Sequence, residues 1–469
     1  MAERAAPTAA AAERCYQQLM EPADFNIPAP DREHEPRTTA AIARALRDIP
    51  FYQKSPKPRP IPEPGTPLED ALARIPLLFK QDIRATLPKQ WVPAGRDAKA
   101  ELASGDIELV ETSGSTTDRT RVLWDKGWWL TQEMRAFRTH PAIARSFAAV
   151  DHPYKEGILT TPVCGLGSCH AGDMTFQERM DEFRLFLNTK PDPTFWKPED
   201  MNRILDELAQ HETAGLESDP MYLAVLARYA ASVGRTIAVK DFIVLTYAFT
   251  AKAHERAIRR AYQGLLLQLY GASEVGVLFM EGEDHRLHHC PLTTHVELLP
   301  IKVATPGAKN VALAVVTTLD RVVMPLVRFV VGDLVAVDAG APSRFTTVPP
   351  ITTVEGRLHD ALVRPDGAIV TAGAIDRAIS SAMGVSYYQV NQPSPSDVVV
   401  DVVPEEGAAD GAASEEVRRR LAPLCEGLAL QVRTASAIAA EPSGKFRLVR
   451  RQFPLDLGKL FDGCEGVTL

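Results

Sequence analysis

The sequence predicts an α/β protein: a large N-terminal domain of several β-sheets flanked by helices, followed by a small C-terminal α+β domain. Three observations carry this. The chain has 469 residues, too many for one ordinary core. From about residue 108, short apolar runs alternate with helical stretches, the pattern of strands packed between helices. After Gly356 the texture changes, and residues 357–469 have the size of a small separate domain.

Taken in order, residues 1–37 read as irregular. The opening MAERAAPTAAAAERC is short of large apolar residues and carries Glu3 and Glu13, so it reads as a frayed end and not as a secretory signal. Residues 38–48 suggest a short amphipathic helix. Residues 54–67 (KSPKPRPIPEPGTP) hold too many prolines for regular structure and lead to a second helical piece at 68–90. This helical part, to about residue 107, opens a large domain spanning 38–356. Within it, 158–163 and 242–247 read as strands, 201–210 and 251–263 as helices. Residues 265–270 (LLLQLY) are too short and continuous for a surface helix and suit a buried strand. The Val- and Leu-rich stretch 311–338 reads as a hairpin. In the small domain, strands are expected at 361–364, 397–403 and 430–433, helices at 374–382 and 414–425, and a surface loop at 404–413. No internal repeat is visible.

Composition excludes several classes. Hydrophobic content of 45% and charged content of 24% are those of a globular protein. A net charge of −8 with no Lys/Arg block argues against a nucleic-acid partner and does not help binding to an anionic membrane. No run of 18 apolar residues occurs, so no transmembrane helix is expected. The six cysteines (Cys15, Cys164, Cys169, Cys290, Cys425, Cys464) are scattered and read as reduced thiols of a cytoplasmic protein.

Four segments carry candidate chemistry. Thr112, Ser113, Gly114, Ser115, Thr116 and Thr117 form a hydroxyl-rich loop around one glycine, able to wrap a phosphate, although such a cluster also suits a plain turn. Tyr270-Gly271-Ala272-Ser273-Glu274 follows an apolar strand; Glu274 there can hold a divalent cation, or simply be solvated. Asp333, after Gly332 at an apolar strand, could accept both hydroxyls of a ribose, or sit in a hairpin turn. Lys445, in Ser443-Gly444-Lys445, can reach a distant site as a mobile point charge, or be an ordinary surface lysine.

The order and spacing of these segments, with Gly356-Arg357 between the last two, resemble the adenylate-forming superfamily of acyl-CoA synthetases, adenylation domains and luciferases. The resemblance is strongest to its phenylacetate-CoA ligase-like branch. MPLVRFVVGD (Met324–Asp333), GRLHD (Gly356–Asp360), Pro50-Phe51-Tyr52 and LEDALARIPLLFKQDIR (Leu68–Arg84) match that branch, and the resemblance covers residues 38–469.

The resemblance implies an adenylate-forming large domain and a small, mobile C-terminal domain carrying the catalytic lysine. A carboxylate would attack the α-phosphate of ATP, releasing pyrophosphate, and a thiol would then take the acyl group. The loop Thr112–Thr117 would hold the β- and γ-phosphates, with Tyr270, Gly271, Ala272 and Ser273 also lining the nucleotide site. Glu274 would bind Mg²⁺, Asp333 the ribose, Lys445 the α-phosphate and the substrate carboxylate, and Arg357 the nucleotide near the hinge. Tyr247, Ala248, Phe249 and Gly276 would line the substrate pocket. CoA is the leading acceptor; a carrier protein or an amine is the alternative, and a non-catalytic nucleotide binder a third. The resemblance leaves a homodimer open.

Departures from the pattern matter. The loop ends Thr117-Asp118-Arg119 where relatives carry a TGKP-like ending, and Asp118 is unfavourable beside phosphates unless Arg119 or Arg121 screens it. Tyr247-Ala248-Phe249 replaces a GAE-like turn, so the pocket is expected to be reshaped for a compact aryl or arylacetic acid. His359 stands where the hinge motif has an aspartate. The positions through which some relatives bind a structural zinc fall near Glu281 and Val323, so no structural zinc is expected there. Cys164, Cys169, His170, His289 and Cys290 could form a new site, but buried thiols and pocket histidines are the simpler reading.

Overall fold

The computed structural model of the protein describes residues 30–55, 59–63, 65–111, 120–148, 154–162, 172–338, 348–408 and 411–468. The hydroxyl-rich segment Thr112–Thr117, Cys15, Cys164, Cys169 and His170 lie outside these described residues.

The N-terminal part is helical, and its first helix, Pro30–Asp48, begins eight residues ahead of the sequence expectation. The helix expected over 68–90 is instead two short ones, Leu68–Ala73 and Lys80–Arg84. Pro76 explains the break, since a proline pushes the residue before it out of helical conformation, and Phe79 ahead of the second helix is extended. A hairpin follows, β1 (Ile107–Glu111) with β2 (Arg121–Asp125). Its pairing of Glu111 with Arg121 brings the two ends of the intervening segment together.

The central sheet has eight strands: β3 (Glu156–Leu159), β4 (Met180–Asp181), β5 (Arg184–Phe186), β6 (Gly215–Ser218), β7 (Phe242–Leu245), β8 (Leu265–Ala272), β9 (Gly276–Glu281) and β10 (Leu287–His289). Their spatial order is β10-β9-β8-β7-β6-β3-β5-β4. Strands β5, β3, β6, β7 and β8 run parallel. The helices Pro198–Gln210, Pro220–Ser232 and Lys252–Ala261 alternate with them along the chain, as parallel pairing requires. All of β6 and β7 is buried, which is why β7 reads as one continuous apolar run.

A second sheet is antiparallel throughout: β11 (Thr294–Pro300), β12 (Val311–Thr318), β13 (Phe329–Ala336) and β14 (Thr353–Arg357), in that order. The hairpin expected at 311–338 is β12 with β13. Arg328, at its turn, is buried and forks onto buried Glu297 with two bonds of 3.0 Å, while donating to the carbonyl of Leu72 at 2.9 Å. One guanidinium thereby fixes the helical N-terminal part to this sheet. Removing one partner of such a buried pair costs about 3–5 kcal/mol.

Beyond Arg357 come a two-stranded ribbon, β15 (Leu362–Val363) with β16 (Ile369–Val370), and a four-stranded sheet of β17 (Val385–Ser394), β18 (Asp397–Pro404), β19 (Ala429–Thr434) and β20 (Val449–Arg451), ordered β19-β18-β17-β20. Helices Ala372–Ile379 and Ala412–Leu421 share its core. Strand β17 was not expected, because Gln389, Asn391, Gln392 and Pro393 interrupt its apolar pattern. The last residues depart from the expectation of one small unit running to 469. Leu457, Leu460, Phe461 and Cys464 are buried with Leu299, Leu313 and Val315 of the second sheet, and the amide of Lys302 donates to the carbonyl of Leu460 at 2.9 Å.

Three imidazoles meet where the first helix touches β10 and β11. His34 Nε2 lies 3.1 Å from His295 Nδ1, and the His34 and His289 rings are 5.9 Å apart. Burial pushes His34 down to about 4 and His295 to about 3, with the Arg37 and Arg328 charges adding to it, and lowers His289 strongly. These rings stay neutral in the folded chain but take up protons in the unfolded one below the ordinary 6.5. Stability is therefore expected to fall by about 2 kcal/mol per histidine between about pH 7.5 and pH 5. Urea unfolding at both pH values measures this, and His295→Leu should flatten the dependence. An unchanged slope in that variant would remove the cluster as the acid-sensitive point.

Candidate active site

Lys445 is carried into the large domain by a tight turn of the small one. The amide of Gly444 donates to Glu441 O at 2.7 Å, and that of Glu441 to Lys445 O at 2.9 Å. Gly444 has φ +78°, and a Cβ there would meet Thr161 Oγ1 at 2.2 Å and the carbonyl of Pro191 at 2.8 Å. Only glycine fits. The hydroxyl of Tyr222, on the helix Pro220–Ser232, lies 2.8 Å from Gly444 O and 2.6 Å from Pro191 O, seating the turn at the carboxyl ends of β3 and β6.

The ammonium of Lys445 donates to the carbonyl of Tyr247 at 2.9 Å. Tyr247 follows β7 with φ +70°, in the left-handed region that a side chain disfavours. Its hydroxyl donates to Glu217 of β6 at 2.7 Å. Burial, reinforced by the Arg357 charge, lowers Lys445 to about 8, against the pull of Asp219, Glu274 and Asp333. Asp219 caps the helix Pro220–Ser232 through the Met221 amide, and burial raises its carboxyl to about 6. Behind Tyr247, buried Glu133, Glu156 and Glu217 gather, with Glu156 raised by burial and by the Glu217 charge to about 8. The sequence reading missed this group, since Glu156 and Glu217 stand singly in apolar strands and Glu133 in the helix Trp128–Phe137, with no spacing signal linking them.

Asp333 sits at an irregularity in β13. Leu313 faces Leu334 but Val315 faces Val330, so a step of two residues on β12 meets a step of four on β13. Gly332, φ +96°, absorbs the bend. Such bulges re-aim a side chain. Tyr270 of β8 donates to Asp333 Oδ2 at 2.9 Å, and Arg357 Nε, on the facing residue of β14, lies 3.8 Å from Oδ1. Burial raises the Asp333 carboxyl, which Arg357 and Tyr270 counteract.

Glu274 is buried, 3.2 Å from the ammonium of Lys80. Lys80 opens the helix Lys80–Arg84 and was legible only as part of a quoted motif, with no role attached. Arg447, two residues beyond Lys445, ion-pairs with Asp360 at the start of the small domain, where His359 Nε2 also lies 3.2 Å from Asp360. His359 is largely covered.

One cavity of about 190 Å³ unites Tyr247, Ala248, Phe249, Tyr270, Gly271, Asp333, Arg357 and Lys445. Ala272, Ser273, Glu274 and Gly276 do not line it. Gly276, expected in the substrate pocket, packs instead under the helix Trp128–Phe137, where a Cβ would meet Gln132 Oε1 at 2.9 Å and the Trp128 ring at 3.0 Å. Phe249 leans on the small-domain core. Cys290 is buried, its thiol raised to about 12, and His289 contacts Thr294 Oγ1 at 3.2 Å. No group of three or more His, Cys, Asp or Glu able to hold a metal occurs among the described residues.

No protein-family model matches the chain, and no curated protein sequence does. Solved structures do. A 2-hydroxyisobutyryl-CoA ligase in the postadenylation state, in complex with 2-HIB-AMP, superposes with a TM-score of 0.62 at 18% identity, over 92% of this chain and 91% of that one. The same ligase with R3-HIB-AMP gives 0.61 at 17% identity, over 91% and 94%. With 2-HIB-AMP and CoA in the thioesterification state it gives 0.51 at 18% identity, over 92% of each chain. The chain therefore has the fold of the adenylate-forming ligases.

Gly444→Ala is expected to lift the turn off Thr161 and Pro191, since both contacts fall under any tolerable separation. Hydrogen exchange over residues 441–448 should rise about tenfold, as a local opening made easier by about 1.4 kcal/mol would show. Unchanged exchange would mean that the cradle accepts a methyl group.

Proposed function

We propose that the protein uses ATP to activate a compact aromatic carboxylic acid as an acyl-adenylate, releasing pyrophosphate, and then passes the acyl group to the thiol of CoA. The observation that carries this reading is the half-buried Lys445 ammonium, converging from the small domain on Tyr247 and Asp333 of the large one. A preorganised cation in a water-poor site is what the charge building on a pentavalent phosphorus needs. The superposed structures, of a CoA ligase with an acyl-adenylate and with CoA, support the choice of acceptor.

In this reading Asp333 accepts from the ribose hydroxyls, with Tyr270 and Arg357 holding the carboxylate in place. Lys445 steadies the α-phosphate and the incoming carboxylate. Glu274 suits Mg²⁺, which takes one or two carboxylates and completes its shell with water and phosphate oxygens; the ion supplies neutralisation of the nucleotide phosphates. Lys80, 3.2 Å from Glu274, orients that carboxylate. Tyr247 and Phe249 narrow the acid pocket. The small domain then swings away, withdrawing Lys445 and admitting the thiol.

Pyrophosphate release with benzoate-type, arylacetate-type and long-chain acids, with and without CoA, tests the reading. Compact aromatic acids should exceed fatty acids longer than about eight carbons, because a closed pocket cannot house a long tail without displacing packed side chains. Preference for a long chain would overturn the substrate class; silence with every acid would overturn the ligase.

Lys445→Ala should slow adenylate formation by about 10²–10³, roughly 3–4 kcal/mol. Because burial lowers this lysine to about 8, the ammonium is lost as pH rises through that value, so adenylation should decline above it. Lys445→Arg should carry whatever activity it retains to higher pH, since a guanidinium stays charged. A rate that is flat to pH 10 in the wild type would contradict the role. Asp333→Ala should weaken nucleotide binding by about 1.5–3 kcal/mol, the worth of hydrogen bonds to a charged acceptor; calorimetry with ATP reads this, and an unchanged affinity would take Asp333 out of the site.

A further inference from the structure

The small domain is docked by more than the turn that carries Lys445. The helix Lys252–Ala261 of the large domain has Ala251 at its N-cap and no side-chain cap of its own. The amide of Lys252 donates instead to Asp376 of the small domain, 3.0 Å from Oδ2 and 3.2 Å from Oδ1. The reverse holds for the small-domain helix Ala372–Ile379. Its N-cap hydroxyl, Thr371 Oγ1, accepts from the Ala374 amide at 3.0 Å and donates to Glu355 of β14 in the large domain. Arg377, in the last turn of the same helix, forks onto both oxygens of Glu355 at 2.6 and 3.0 Å. We infer that this exchange of carboxylates is the clasp that holds the small domain in place for adenylation, with Asp376 and Glu355 as its positioning residues. Neither lines the cavity that holds Lys445. The inference rests on the ligase reading above.

Each half of the clasp answers a physical need. The first amides of a helix have no partner inside it, and the helix dipole favours negative charge there. Asp376 and Glu355 are both buried, so each has given up water and needs donors in return. Asp376 divides itself between Tyr388 of its own domain, at 3.0 Å, and the Lys252 amide of the other. Gly373 makes the second half possible: a Cβ there would stand 2.6 Å from Glu355 Oε2. Asp376, Glu355 and Arg377 line a cavity of about 1170 Å³, so the clasp opens into space and not through a packed core.

The neighbouring contact shows why docking needs such a clasp. His254 of the large domain stacks on Tyr387 of β17, with ring centroids 5.8 Å apart. Both nitrogens of His254 and the Tyr387 hydroxyl are buried and find no hydrogen-bond partner among the described residues. Burying polar groups in this way opposes docking, and the clasp offsets it. The same contact links the clasp to the site, since Tyr387 meets Phe446, the neighbour of Lys445, edge-on at 5.6 Å. Adenylation needs Lys445 in its site, and transfer to a thiol needs it withdrawn. Loosening the clasp therefore slows the first step and spares the second, whereas a general loss of stability lowers both.

The test separates the two half-reactions in the full chain, with benzoate as the acid in the first and benzoyl-adenylate supplied directly in the second. Asp376→Ala should slow pyrophosphate release about tenfold, the effect of a lost helix cap on the docking equilibrium. CoA-dependent consumption of the supplied adenylate should stay within about twofold of wild type or rise. Asp376→Asn keeps an acceptor for the Lys252 amide and should recover most of the first rate. Gly373→Ala sets a methyl group against Glu355 while favouring its own helix, and it should behave like Asp376→Ala. Hydrogen exchange over residues 441–448, which neither substitution touches, should rise about tenfold in both alanine variants and stay near wild type in Asp376→Asn. Equal losses in the two half-reactions, or unchanged exchange in both alanine variants, would overturn the inference. A wild type silent toward benzoate and every other acid tested would remove the ligase reading, and the exchange result would then decide the clasp by itself.

Discussion

A lysine ammonium taken out of water must find acceptors, and the arrangement around Lys445 follows from that requirement. Its stem enters from a turn that only a glycine can make against Thr161 and Pro191. Its charge is received by a backbone carbonyl that faces it because Tyr247 adopts a left-handed conformation. That conformation is costly for a tyrosine, on the order of 1–3 kcal/mol. The Tyr247–Glu217 bond and the buried surroundings of β6 hold it. The docked position of the small domain is therefore a balance of local strain, a desolvated charge and a few short contacts, which is the kind of balance a ligand can tip.

The scaffold brings to this point residues that are far apart in the chain. The parallel strands β3, β5, β6 and β7 end at the same edge of the central sheet, and they deliver Thr161, the Pro191 region, Asp219 and Tyr247 to it. The bulge at Gly332 turns Asp333 toward Tyr270 of a different sheet. Arg328 keeps the helical N-terminal part against β11 and β13, and through it Lys80 reaches Glu274. Each functional side chain is thus placed by a backbone irregularity or a buried ion pair at the border of two sheets.

Much of this was legible in the chain. The alternation after residue 108, the hairpin of β12 and β13 and the run of β8 follow from hydrophobic pattern alone, and Lys445, Asp333 and Tyr270, singled out in the sequence, line one cavity. What pattern could not show was contact between distant segments. Glu156 and Glu217 meet only through the pairing of β3 with β6, and Glu133 joins them from the helix Trp128–Phe137. Gly276 was misplaced because proximity in sequence to Glu274 does not fix which way a strand turns; its left-handed φ sends β9 back under a helix. The length of the first helix was underestimated because Pro36 reads as a breaker, yet lies inside it.

The chain's last residues have a topological consequence. Because Leu457–Cys464 pack on the sheet of β11 and β12, the polypeptide crosses from large part to small near Ala361 and returns after Arg451, and the Arg451–Ala361 bond keeps the two crossings side by side. The small sheet is therefore an insertion suspended from paired strands of chain, not a terminal appendage. Any swing it makes has both ends anchored to one body, which restricts it to a pivot about that double crossing. A label or fusion at the C-terminus would consequently ride on the stationary part.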